Sequence, residues 1–87
     1  MAQDVRDDIR SFIAAKFPGM SFTDDEDIFA LGFVNSLFAM ELVMFIEKTF
    51  GTKIPNEELR LENFRTVVLM AELVQRRAEA AESGAVT

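Results

Sequence analysis

Ser36 is the residue whose type and position best suit covalent chemistry. It opens an amphipathic helix within Gly32-Phe33-Val34-Asn35-Ser36-Leu37-Phe38-Ala39-Met40, at the end of a long acidic loop. The chain contains no His and no Cys, so Ser36 has none of the usual partners that turn a hydroxyl into a catalytic nucleophile. The arrangement points to a hydroxyl that another enzyme modifies. A serine at a helix start is far more often a simple N-cap, so its surroundings must decide.

The other candidates for chemistry are weaker. The run Asp24-Asp25-Glu26-Asp27 suggests a calcium loop, but the ligand spacing, central Gly and closing Glu of an EF-hand are missing, and a solvated turn explains the charges. Glu57 and Glu58 are adjacent, so on a helix they do not converge on one substrate. No metal site and no catalytic constellation is expected; the protein reads as a non-enzyme.

At 87 residues the chain allows one small domain, which must use nearly every apolar helix face to build a core. Hydrophobic residues make up 49%, with nine Phe and five Met but no Trp or Tyr. The absence of Cys excludes a disulfide framework and thiolate metal sites. The first eight residues lack the apolar stretch of a signal peptide, and no apolar run approaches the roughly 18 residues needed to cross a bilayer. A cytoplasmic protein without a membrane segment is expected. The net charge of −6 disfavours nucleic acid and anionic lipid and favours basic patches on protein partners.

Three longer helices and one short one are expected, forming a small all-α four-helix bundle. Val5, Ile9, Phe12 and Ile13 share one face of a first helix, from about Gln3 to Lys16, which Phe17-Pro18-Gly19 stops. A long connection, Pro18 to Asn35, carries Ile28, Phe29, Leu31, Phe33 and Val34; a solvated linker would not need them, so it should pack on the bundle. The second helix spans Ser36 to Phe50, with Asn35 or Ser36 as cap and Gly51 as its end. A short third helix, Glu57 to Glu62, would be pinned by Leu59, Leu61 and nearby Phe64. Thr66 caps the last helix, in which Val67, Met70, Ala71, Val74 and Ala78 repeat at helical spacing to about Ala81. The domain is thus 1–81, followed by a disordered tail over 82–87.

The second helix has an unusually broad apolar pattern. Ala39, Leu42, Val43, Ile46 and Phe50, flanked by Phe38 and Phe45, should face the core. The opposite arc holds Leu37, Met40, Glu41, Met44, Glu47 and Lys48. Its apolar members either meet a docking partner, with Met adapting to more than one surface, or lie under the long loop or the third helix. Spacing alone leaves both open, together with a helical adaptor in which Ser36 is only a cap.

The helix order, the long first loop and the stretch from Leu31 to Pro55 resemble the acyl carrier protein family of phosphopantetheine-attachment domains. The family signature Asp-Ser-Leu is matched by Asn35-Ser36-Leu37, with Glu41-Leu42-Val43-Met44, Phe50-Gly51 and Lys53-Ile54-Pro55 as downstream support. The resemblance implies that a phosphopantetheinyl transferase joins 4′-phosphopantetheine from coenzyme A to Ser36 Oγ, and that acyl groups ride on its terminal thiol as thioesters. Asn35 stands where the family usually has Asp, so the carboxylate beside the incoming coenzyme A and its metal is absent, and a dedicated transferase is expected. An amide oxygen still accepts hydrogen bonds and coordinates a cation, with less charge.

The resemblance also implies a partner interface on the second helix beside the arm: Leu37, Met40 and Met44 as apolar contacts, Glu41 and Glu47 facing basic side chains. Fatty-acid, polyketide, nonribosomal-peptide and D-alanyl carriers share this pattern. The stretch from Gly32 to Lys48 looks most like discrete carriers of unusual polyketide extender units, such as methoxymalonyl, hydroxymalonyl or aminomalonyl groups. A fatty-acid carrier would show a more acidic, less aromatic second helix than one with Phe38, Phe45 and Lys48. The implied partners are the transferase, an acyl-loading enzyme, tailoring oxidoreductases and an acyltransferase or polyketide synthase, with the carrier acting as a monomer.

Overall fold

The protein is described by a computed structural model, which covers the backbone of residues 2–32 and 34–86 and the side chains of 5–32 and 34–80. Its element order is α1 (Ala2–Lys16), α2 (Ser36–Phe50), two 3₁₀ turns (Asn56–Glu58 and Leu61–Phe64) and α3 (Val67–Val86). Among the described residues there is no strand.

The expected four-helix bundle is therefore corrected to three α-helices and a pair of 3₁₀ turns. The short third helix does not form as one piece: Leu59 takes φ −79°, ψ 64° and Arg60 an extended φ −115°, ψ 142°, which breaks the ladder between the turns. The break rotates the chain so that Phe64 is buried, while Leu59 and Leu61, expected to pin the segment, remain exposed. α3 in turn runs beyond the expected end at Ala81, as the helix-forming Ala80-Ala81-Glu82 allows. The side chains of 81–87 and the backbone of Thr87, where the tail was expected, lie outside the described residues.

Burial follows the helical periods. Ile9 and Ile13 of α1, Leu42 and Ile46 of α2, and Val67, Met70 and Leu73 of α3 are fully buried around one core. On α2 Phe38 joins this core rather than flanking it, while Ala39 and Phe50 are only half-buried. On α3 Ala78 is exposed and Leu73 supplies the core contact instead. α1 meets α2 through rings: Phe12 stacks on Phe45 (centroids 4.2 Å, 16° apart) and on Phe38 (5.8 Å, 11°), and Phe17 meets Phe38 edge-on at 4.9 Å.

The long connection packs down as its apolar residues require, burying Met20, Ile28 and Val34. Its acidic run is not merely a solvated turn. Asp24 accepts a two-pronged pair of hydrogen bonds from Arg10 (2.7 and 2.9 Å), and its carbonyl accepts the Val68 amide of the first turn of α3. Glu26 accepts the Thr23 amide, and the Thr23 hydroxyl donates to Asp25. Asp27 accepts the Phe29 and Ala30 amides through one oxygen and Arg65 through the other. Each acid thus ties the loop to itself or to a helix.

These ties make stability depend on acid. Hydrogen bonds from Arg10 hold the Asp24 carboxyl below its ordinary 3.8 against the cost of burial. Burial pushes Asp27 up, but the Ala30 and Phe29 amides and Arg65 bring it below 3.8 overall. A carboxyl with a depressed folded pKa binds more protons when unfolded, so its stabilisation is present above about pH 4 and is lost as pH falls below that. Thermal melts should be flat from pH 7 to about 5 and fall steeply below 4. Asp24→Asn should lower the pH 7 midpoint by a few degrees, since a half-exposed pair contributes at most about 1 kcal/mol. It should also flatten the acid limb; an unchanged limb would contradict the assignment.

Candidate functional site

The site is built on the N-terminus of α2. Gly32, at φ 86°, lets the chain turn out of the loop, and Val34 is buried just before the helix, which fixes where α2 begins. Asn35 is the N-cap: it is extended (φ −128°, ψ −176°), its Oδ1 accepts the Phe38 amide at 3.1 Å, and its carbonyl accepts the Ala39 amide. Of the two caps the sequence allowed, the structure uses Asn35. Ser36 is consequently the first helical residue, exposed, with no partner for its hydroxyl among the described residues. Asn35→Ala should cost about 1 kcal/mol in chemical denaturation, the usual loss of a cap; a change near zero would mean the amide does not cap.

Gly51, at φ 62°, closes the other end, donating its amide to the Glu47 carbonyl, which Thr52 shares at 3.2 Å. The Glu47 carboxylate accepts the Ile54 amide at 2.9 Å. Glu47 thus fastens the chain as it leaves α2, and Glu41 pairs with Lys16 of α1 at 3.1 Å. The three apolar side chains of the outer face lie open: Leu37 is 73% exposed, Met40 57% and Met44 66%. Neither the long loop nor the 3₁₀ segment covers them. The expected strip is present, but both of its acids already have partners within the chain.

Beside Ser36 a groove of about 200 Å³ runs between α2 and the 3₁₀ segment. Ser36, Ala39 and Met40 form one wall and Leu59, Arg60 and Leu61 the other, over Val43 and Phe64. The expectation that Leu59 and Leu61 pin the segment to the core leaves no room for the groove, which depends on the break at Leu59-Arg60.

The geometry can accept a phosphoryl group on Ser36. A phosphate at the first position of a helix meets free amides and the positive end of the dipole. With Phe38 and Ala39 already bonded to Asn35, the amides of Ser36 and Leu37 remain for it. The adjoining apolar walls suit the hydrocarbon part of a pantetheine arm. Among the described residues no group of three acidic side chains could hold a metal ion, and no helix is long and apolar enough to cross a membrane.

An exposed serine at the start of a helix, on a small helical body with an apolar flank, is an arrangement that can present a covalent arm. The sequence matches the phosphopantetheine attachment site family over residues 5–74, and the chain belongs to that family. Members of that family are carriers rather than catalysts and bear covalent 4′-phosphopantetheine on a serine. It is similar to the D-alanyl carrier proteins of Streptococcus pyogenes serotypes M5, M49 and M1, at 35% identity over 51 residues. The match covers 59% of this chain and 65% of each relative. No solved structure matches the chain.

Proposed function

We propose that Ser36 is the attachment serine and that the protein carries a small acyl group as a thioester for polyketide assembly, in the cytoplasm and as a monomer. The observation that carries the site is the division of labour at the head of α2, where Asn35 makes the cap and Ser36 Oγ is left to react. In the transfer, Ser36 Oγ bonds to the phosphorus that bears pantetheine, the pyrophosphate P–O bond of coenzyme A breaks, and 3′,5′-ADP leaves. The hydroxyl proton passes to a base of the transferase. The arm supplies a thiol on a flexible tether, so the protein needs only to be a rigid, soluble anchor.

The test is the intact mass of the chain after incubation with coenzyme A, Mg²⁺ and a broad-specificity phosphopantetheinyl transferase. A gain of one phosphopantetheine supports the reading. No gain, with a cognate transferase as well, would return the adaptor reading to first place.

The acyl class rests on the aromatic, Lys48-bearing second helix. The D-alanyl relatives favour a second reading, an aminoacyl cargo. In either case the exposed Leu37, Met40 and Met44 form the docking strip for the loading enzyme, tailoring oxidoreductases and acyltransferase that act after the phosphopantetheinyl transferase. Glu41 and Glu47 stand at its edge. Met44→Glu should leave the fold and phosphopantetheinylation nearly unchanged while lowering acyl transfer to a downstream partner about tenfold, the effect of losing a contact worth 1–2 kcal/mol. Equal transfer rates for variant and parent would remove Met44 from the interface.

A further inference from the structure

The chain has no Cys, Trp, Tyr or His, so methionine sulfur is the most easily oxidised group it holds. α2 sets two of these thioethers one helical turn apart on its open face, Met40 at 57% and Met44 at 66% exposure. Met20 and Met70, by contrast, are closed off in the core, at 7% and 0%. Met44 lies between two hollows, one toward Phe12 and Phe45 of the α1–α2 seam and one toward Gly51-Thr52-Lys53. Lys48, a turn further along α2, lines both hollows with it and has no ion-pair partner among the described residues. Its ammonium can donate to a new acceptor on this face. A thioether is apolar and adapts to an apolar partner, whereas a sulfoxide is polar, and burying its oxygen against such a partner without a hydrogen bond is costly. Neither Met40 nor Met44 belongs to the buried core, so the fold does not depend on their polarity.

We propose that Met40 and Met44 form a peroxide-sensitive modification site, whose oxidation to sulfoxide reversibly weakens docking on α2 while the fold and Ser36 stay as they are. In the step a sulfur lone pair attacks one oxygen of hydrogen peroxide, the O–O bond breaks, an S=O bond forms and water leaves. Sulfur gives up two electrons and the peroxide takes them. The reverse step draws two electrons from a dithiol through a methionine sulfoxide reductase, one enzyme for each sulfoxide epimer, and releases the oxygen as water. This rests on the reading of Leu37, Met40 and Met44 as the docking strip.

The test treats the full chain, before any arm is attached, with hydrogen peroxide, removes the peroxide with catalase, and only then loads the acyl arm, so that the arm's thiol never meets the oxidant. Peptide mass mapping should show Met40 and Met44 each gaining one oxygen about tenfold faster than Met20 and Met70, which react only when the fold opens. Circular dichroism should be unchanged and the arm should still attach to completion. Acyl transfer to the downstream acyltransferase should fall about tenfold, the size expected for Met44→Glu, and the two reductases should restore it. In the double variant Met40→Leu, Met44→Leu, peroxide should leave the variant's own transfer rate where it started. Oxidation of all four methionines at similar rates would overturn the site. Transfer that survives oxidation of Met40 and Met44 would overturn the switch: if Met44→Glu still lowers transfer, the docking strip stands without it, and if that variant is silent too, the strip falls with it.

Discussion

Ser36→Ala should abolish phosphopantetheinylation completely while leaving the fold as it is. The loss is total because the reaction forms a bond to Oγ, and no neighbouring residue can substitute: Asn35 and Leu37 offer no hydroxyl. The fold survives because Asn35, not Ser36, accepts the Phe38 amide, and because Ala is a better helix former than Ser inside the first turn. The melting transition should stay within about 0.5 kcal/mol of the parent, the range of ordinary surface changes. Circular dichroism and intact mass on the same sample check both halves. A variant that no longer melts cooperatively would show Ser36 to be structural; one that still gains the arm would move the site elsewhere.

Leu42→Ala should be among the most damaging single changes. Leu42 is fully buried between Phe38 and Ile46 on the inner face of α2, so truncation removes transfer free energy and leaves a cavity. The expected loss is about 2–5 kcal/mol, out of the 5–15 kcal/mol typical of a whole domain. For a domain of this size that corresponds to a fall in melting temperature of roughly 10–30 °C. Leu37→Ala, five residues earlier on the exposed face, should cost about 0.5 kcal/mol or less. Urea denaturation of the pair measures this contrast directly, and similar losses at both positions would contradict the orientation of α2.

Much of this was legible in the sequence because it depends on near neighbours. The boundaries of α2 follow from Asn35 and Gly51, and its two faces follow from the 3.6-residue period, which placed Leu37, Met40 and Met44 opposite Leu42 and Ile46. What was not legible depends on distant partners. The acidic run reads as solvated charge until Arg10, 14 residues before Asp24, and Arg65, 38 residues after Asp27, are folded against it. The segment from Glu57 to Glu62 contains no Gly or Pro, so nothing local announces the break at Leu59-Arg60. The groove beside Ser36 exists because of that step. Similarly, either Asn35 or Ser36 could have been the cap by residue type. The backbone of Asn35 decides it, and that decision leaves the serine hydroxyl available.

The central claim is that the arm is attached at Ser36, and fragmentation of the loaded parent protein tests it most directly. Trypsin should release Phe17 to Lys48, a peptide that contains both Ser21 and Ser36. Tandem mass spectrometry should show ejection of a pantetheine fragment and place the residual mass on Ser36, with fragments that span Ser21 alone unmodified. Modification mapped to Ser21, or to Ser11 or Ser83 in other peptides, would contradict the account.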